Sequence, residues 1–201
     1  ERNRGRGLIR GGMTPNSSQL TTIIQYLEMS SGGNTIDFGD GSVASYGGTG
    51  LASATRGVYG VGATANTSPY SLVNTLEFIT IATQSNSTDF GDLFFAIQNQ
   101  APMSNQTRGI FAAGLSPQQR VRMDFITIAT TGNAQDFGDL TRTVASFGSA
   151  ASPTRATMFG GGSSSVIEYF QIMTLGNARD FGDLTQSVSE TAGCSNGHGG
   201  L

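Results

Sequence analysis

The residues able to do chemistry in this chain are few. One histidine, His198, and one cysteine, Cys194, lie four positions apart near the C-terminus. Such a pair makes a nucleophile only when a third group orients the base, and the surrounding glycine-rich tail supplies none. The fourteen acids are far more regular. Asp-Phe-Gly-Asp occurs four times, at Asp37–Asp40, Asp89–Asp92, Asp136–Asp139 and Asp180–Asp183, each preceded at three residues by Asn34, Asn86, Asn133 or Asn177. A nucleotide-binding role for Asp-Phe-Gly requires a lysine on the phosphates, and the chain contains no lysine. Asn34, Asp37, Asp40 and their counterparts offer hard oxygen ligands of the kind calcium takes, at a spacing that matches no established calcium loop. The simpler reading is a turn: glycine opens the backbone, the aspartates bond nearby amides, and Phe38, Phe90, Phe137 and Phe181 pack between adjacent units.

Arginine is the second recurring group. Arg56, Arg108 and Arg155 each open a short glycine-rich stretch, and one strand later stand Glu77, Asp124 and Glu168. Adjacent antiparallel strands would bring these into pairs, where the planar guanidinium bonds a carboxylate in two places. The regular spacing favours a scaffold role. The alternative is a central arginine cluster that binds an anionic sugar. Arg6 would lack its carboxylate, because Gln25 occupies the acidic position of the first unit. Arg2, Arg4, Arg6 and Arg10 make the first ten residues basic; a flexible connection is the plainer account, and a grip on phosphates or an acidic neighbour the sharper one.

These spacings define the elements. The tetrapeptides are 52, 47 and 44 residues apart, and from the last Asp of each to the next arginine the count is 16 three times. From arginine to the next tetrapeptide it varies: 31, 33, 28 and 25. One half of each unit is therefore fixed architecture and the other holds a loop of variable length: Met13–Leu20, Ala63–Val73, Leu115–Val121 and Ser163–Ser165. All four should emerge on one face. Leu76–Thr83 and Met123–Thr130 are β-branched and aromatic, apolar on both alternating faces, as in a strand whose sheet is sandwiched between neighbours. A unit of this length with four short strands predicts a propeller blade, so the fold expected is all-β, a β-propeller of four-stranded antiparallel blades, forming a closed small ring or part of a larger one. The expected organisation is an arm at 1–5 and one propeller domain at 6–201, with repeats at about 6–55, 56–107, 108–154 and 155–201. The tail Thr185–Gly197 is expected to pair with the strand around Leu8–Gly11, so that the two chain ends complete one blade.

Composition bounds the partners. A net charge of -3 and a pI of about 5.0 argue against a general nucleic-acid binder, and 37% hydrophobic content with 12% charge argues against disorder. No run of eighteen apolar residues is present, so no membrane insertion is expected. No cofactor, metal or catalytic residue is expected either.

An arginine, a glycine-rich strand and an aromatic strand in each unit resemble the kelch-type β-propeller. The double glycine is complete only at Gly11-Gly12 and Gly160-Gly161-Gly162, and phenylalanine stands where kelch blades carry tryptophan. A closer resemblance is to tandem-repeat structural proteins of marine tailed phages, cyanophages among them. It is carried by Thr107-Arg-Gly-Ile-Phe111 and Asp124-Phe-Ile-Thr-Ile-Ala-Thr-Thr-Gly-Asn-Ala-Gln-Asp-Phe-Gly-Asp-Leu140, and extends from Gly5 to Asn196. The resemblance implies a virion location, extracellular, on the tail or particle exterior. Its implied partners are other virion proteins and a host-surface glycan or protein; a homo-oligomer is also compatible with it.

The expected function is thus non-enzymatic: a tail-fibre-like or surface component whose propeller displays variable loops. The polar residues Asn16, Asn66, Tyr70, Gln118 and Gln119 are the candidate binding positions, suited to hydrogen bonding with sugars or protein. Two alternatives stand beside it. A glycan-processing enzyme would need paired carboxylates in a cleft, and the repeat leaves only Glu1, Glu28 and Glu190 outside its pattern. A kelch-like adaptor would dock another protein.

Overall fold

A computed structural model describes residues 5–15, 19–66 and 71–195. Sixteen strands form four antiparallel sheets, the blades of a β-propeller. The first blade holds β1 (Arg6–Arg10), β2 (Thr21–Glu28) and β3 (Ile36–Ser45). The second holds β4 (Thr49–Ala52), β5 (Arg56–Gly60), β6 (Thr75–Thr80) and β7 (Thr88–Asp92). The third comprises β8 (Ala101–Ser104), β9 (Arg108–Ala112), β11 (Gln118–Thr127) and β12 (Gln135–Val144), with β10 (Leu115–Ser116) as a short hairpin on β11. The fourth holds β13 (Gly148–Ala151), β14 (Arg155–Phe159), β15 (Ser164–Gln171) and β16 (Arg179–Val188). Small residues dominate the innermost strands β4, β8 and β13, which approach one another around the axis.

Face-to-face packing of blades explains the two-sided hydrophobicity of the strands. Each blade has a leading face turned to the next blade and a trailing face turned to the previous one. Leu8, Ile24 and Phe38 on the leading face of the first blade pack with Tyr59 and Ile79 on the trailing face of the second. Val58, Leu76 and Phe90 meet Phe111, Ile126 and Ile128 in the same way. Met123, Phe125 and Phe137 then meet Met158, Phe170 and Ile172. The variable loops all follow the strand that opens with the repeated arginine (β1, β5, β9 or β14), and so share one end of the propeller, as the spacing predicts. The segment from 115 to 121 is not a plain loop, because β10 folds back on the start of β11.

Two expectations are corrected here. Asp-Phe-Gly-Asp is not a turn. It lies within the outermost strand, at a β-bulge where the register shifts, and Gly91 takes φ +137° there. Second, the tail does not pair with the strand around Leu8–Gly11. Residues 185–188 extend β16, and the following segment lies along the inner edge of the fourth blade. Glu190 N donates to Ser146 O, Thr191 Oγ1 bonds Gly148 N and Phe159 O, and Ser195 Oγ donates to Ala151 O. Among the described residues no hydrogen bond or ion pair joins the first and fourth blades. The inner edge of β1 accordingly lacks, among the described residues, the fourth strand that the other blades possess.

Candidate functional site

The recurring arginines and acids do not pair with each other as their spacing suggests. Strand residues alternate between faces, and the register Arg56↔Thr80, Val58↔Phe78 puts Arg56 on the face of Phe78, opposite Glu77. Arg56 therefore stacks on Phe78 at 4.2 Å, Arg108 on Phe125 at 4.4 Å, Arg155 on Tyr169 at 4.8 Å and Arg6 on Tyr26 at 4.7 Å. The stacked guanidinium then reaches across the seam. Arg6 Nη1 donates to Ile81 O at 2.8 Å, Arg56 to Ile128 O at 3.0 Å and Arg108 to Ile172 O at 3.0 Å.

Each acid bonds backward instead, to the preceding blade. Glu77 accepts from Ser42 N at 3.0 Å, Asp124 from Phe94 N at 3.3 Å and Glu168 from Thr141 N at 2.6 Å. Different arginines neutralise them. Glu77 is bound by Arg10 at 2.9 Å, with both side chains almost fully buried. Asp124 is bound by Arg122 at 2.7 Å, while Arg142 stands 3.7 Å from Glu168. Burial opposes ionisation of Glu77, but the Ser42 hydroxyl, the Arg10 charge, Ser87 and the Ser42 amide outweigh it and hold its pKa below the ordinary value. At Asp124 burial wins over Arg122 and the Phe94 amide, and the pKa rises. Burial also pushes the Tyr59 phenol up to about 12, against the pull of Arg10.

The tetrapeptides complete the seams. The amides of Asp40, Asp92 and Asp139 donate to Oδ1 of Asn86, Asn133 and Asn177 in the next blade, each at 3.0 Å. Asp37, Asp89, Asp136 and Asp180 open the bulges, and Asp183 closes the last. Phe38, Phe90 and Phe137 are 2% exposed, packed between blades as expected; Phe181 is 54% exposed on the outer face of the fourth. Among the described residues no three acids, histidines or cysteines gather as metal ligands.

Once the seams have absorbed the repeated residues, one place departs from the pattern. Phe94 and Phe95 follow the second tetrapeptide, where the first and third units carry Ser42-Val43 and Thr141-Arg142. Their rings meet edge-on at 4.8 Å, with Arg122 over Phe94 at 4.2 Å and Arg120 over Phe95 at 4.6 Å. Arg122 is fixed by Asp124 and by Asp136 at 3.3 Å, and Arg120 by the Ser116 carbonyl at 2.6 Å. Phe94 nevertheless remains 62% exposed. An exposed ring rimmed by oriented guanidinium donors can stack on the apolar face of a sugar or on an aromatic side chain, and bond its edges. Gln118 and Gln119, exposed on the hairpin that carries Arg120, adjoin this cluster in sequence. Asn66 is half-buried in another blade's loop; Asn16 and Tyr70 lie outside the described residues. The cluster was missed in the repeat pattern, although two aromatic residues at a small or polar position were its visible signal.

A second concavity, a groove of about 490 Å³, lies between β1 and the inner strand of the second blade, lined by Arg6, Leu8, Arg10, Tyr59 and Gly48–Ala52.

No family model matches the chain, and no curated protein sequence matches it. Among solved structures it is similar to one described as "Structure of YjhT", with a TM-score of 0.74 over 96% of this chain and 72% of that chain, at 11% identity. At that identity the likeness speaks to the fold alone, and the fold is the β-propeller described above.

Proposed function

We propose that the protein is a non-enzymatic phage virion component, tail-fibre-like or on the particle surface, whose propeller holds out unequal loops to bind protein or a host-surface glycan. The observation that supports this reading is the division of labour among side chains. At the three junctions between described blades the recurring arginines, acids and asparagines join one blade to the next, while the exposed, symmetry-breaking Phe94–Phe95 and Arg120–Arg122 cluster sits beside the loop end. The repeat resemblance to phage structural proteins supports the location, and the polar loop composition suits a sugar or protein surface.

Two measurements test it together. Immunogold labelling of purified particles should decorate the tail or particle surface. Binding of the purified protein to a glycan array and to particle proteins should fall at least ten-fold in Phe94→Thr, which restores the residue type of Thr141 and keeps the backbone amide that bonds Asp124. Absence of the protein from particles, or turnover of a glycan to a new product, would overturn the reading.

A further inference from the structure

The corner where the second blade meets the third is built unlike the other junctions. Strands β3, β12 and β16 run ten residues each, but β7 stops after five, at Asp92. The next inner strand, β8, still begins nine residues after that Asp, as β4 does after Asp40 and β13 after Asp139. Residues 93–100 therefore cross the corner outside the sheet, tied down by bonds from Leu93 N to Asn74 O at 2.8 Å and from Ile97 N to Val73 O at 3.3 Å. Phe94 and Phe95 lie in this stretch. The neighbouring blade does the opposite. Its β11 runs ten residues, against eight in β2 and β15 and six in β6, and carries the β10 hairpin at its start. A shortened strand beside a lengthened hairpin leaves a shelf, floored by the two rings and overhung by Arg120 and Arg122.

The two arginines are not equivalent. Arg122 is neutralised: its Nε donates to Asp124 at 2.7 Å and its Nη1 stands 3.3 Å from Asp136. Arg120 has no carboxylate within 4.0 Å among the described residues. Its Nε and Nη2 both donate to the Ser116 carbonyl, at 3.1 and 2.6 Å, and its plane rests 4.6 Å from the Phe95 ring centre. One edge and the plane are thereby fixed. The outer edge, between Nη1 and Nη2, keeps two parallel N–H donors, the pattern that bonds both oxygens of one carboxylate.

Phe94 supplies the second contact. Arg122 lies over one side of the ring, and 62% of the residue is still open to solvent. Exposed aromatic carbon takes the C–H face of a sugar ring, and the exposed Gln118 and Gln119 carry donors and acceptors for its hydroxyls. The apolar surface on offer is essentially one ring, a match for a single sugar residue. A protein partner needs a far wider patch, about 800 Å² a side.

We propose that this shelf binds an acidic sugar chain, with a carboxylate of the glycan on the free edge of Arg120 and the apolar face of a sugar ring on Phe94. The ring centre of Phe95 is 4.6 Å from the Arg120 guanidinium and 4.8 Å from the Phe94 ring, so both contacts fall within the span of two linked sugar residues. With a net charge of -3, the protein's overall field does not attract such a chain, and the selectivity resides in this one edge. The proposal rests on the loop end being the binding surface and is independent of a virion location.

Titration calorimetry of the full chain tests it, with oligogalacturonate and oligomannuronate as probes, each compared with the same chain after reduction of its carboxylates to alcohols. At least one acidic chain should bind about ten-fold tighter than its reduced form, and high salt should erase the difference. Arg120→Gln should bring the acidic chain down to the affinity of the reduced one and leave the reduced one unchanged. Arg120→Lys, which keeps the charge without the paired donors, should restore only part of the preference. Phe94→Thr should weaken both forms about ten-fold, with circular dichroism unchanged in all three variants. Equal binding of acidic and reduced chains, both weakened by Phe94→Thr, would overturn the carboxylate assignment and leave a neutral-glycan site in place. Binding that neither Phe94→Thr nor Arg120→Gln alters would put the ligand elsewhere and overturn the shelf. No binding of either acidic chain, with or without capture of a glutamate-rich peptide, would overturn the ligand class.

Discussion

Glu77→Gln removes one charge from the seam between the first and second blades and leaves the side chain's size unchanged. Glu77 and Arg10 expose 1% and 4% of their side chains, so the substitution strands a nearly buried guanidinium. It also sets a carboxamide against donors that Glu77 now accepts from Ser42, Ser87 and Arg10. Removing one partner of a buried pair costs about 3–5 kcal/mol. For a chain of this length that lowers Tm by roughly 6–20 °C. Thermal and urea melts followed by circular dichroism and tyrosine fluorescence would measure it, since the chain has no tryptophan. The double variant Arg10→Met/Glu77→Leu, which removes both charges, should recover most of the loss. The pH dependence has a definite sign. A carboxylate whose folded pKa is depressed contributes stability above its unfolded pKa and loses it as pH falls through the folded value, so Glu77→Gln should flatten the acid limb of the stability profile. A cost within about 0.5 kcal/mol, typical of surface positions, or a double variant no better than the worse single, would refute the reasoning.

Three further outcomes follow from the seams. Arg108→Ala should cost about 2–3 kcal/mol, because it loses a charged hydrogen bond and a ring stack, whereas Arg155→Ala, which has only the stack, should cost about 0.5–1 kcal/mol; paired urea melts check the difference. Phe90→Ala should cost about 3–5 kcal/mol, but Phe181→Ala under dilute conditions should stay within about 0.5 kcal/mol of wild type, again by urea melt. In an alkaline absorbance titration the last tyrosine should ionise near 12 and vanish in Tyr59→Phe. Because that folded pKa is raised, the Tyr59 contribution is complete below the unfolded pKa and is lost as pH rises through the folded value.

Much of this was legible in the chain itself. Fixed spacing from tetrapeptide to arginine marked the rigid half of each blade, and the variable half marked the loops that share one end. The buried Phe38, Phe90 and Phe137 follow from a repeated aromatic beside glycine. Face parity was harder to see: Arg56 and Glu77 look paired by count, yet the strand register turns them to opposite faces, one toward the next blade and one toward the last. The bulge at Gly91 resembled a turn because both need the same unusual backbone. Arg10 as the partner of Glu77 had no repeat signature, since Gly60, Ala112 and Phe159 occupy its position elsewhere.

Each seam is bonded in both directions: guanidinium and amide donors reach forward to the next blade, and amides such as those of Gly132 and Ala134 reach back to Phe90 and Asp92. Among the described residues, the second and third blades are thus held from both sides and the first and fourth from one. In an array of nearest-neighbour units, unravelling begins at units with a single interface. Amide deuteration should therefore be slowest in β6 and β11 and faster in β2 and β15, a protection gradient along the chain that reads out cohesion between modules more directly than any global melting point.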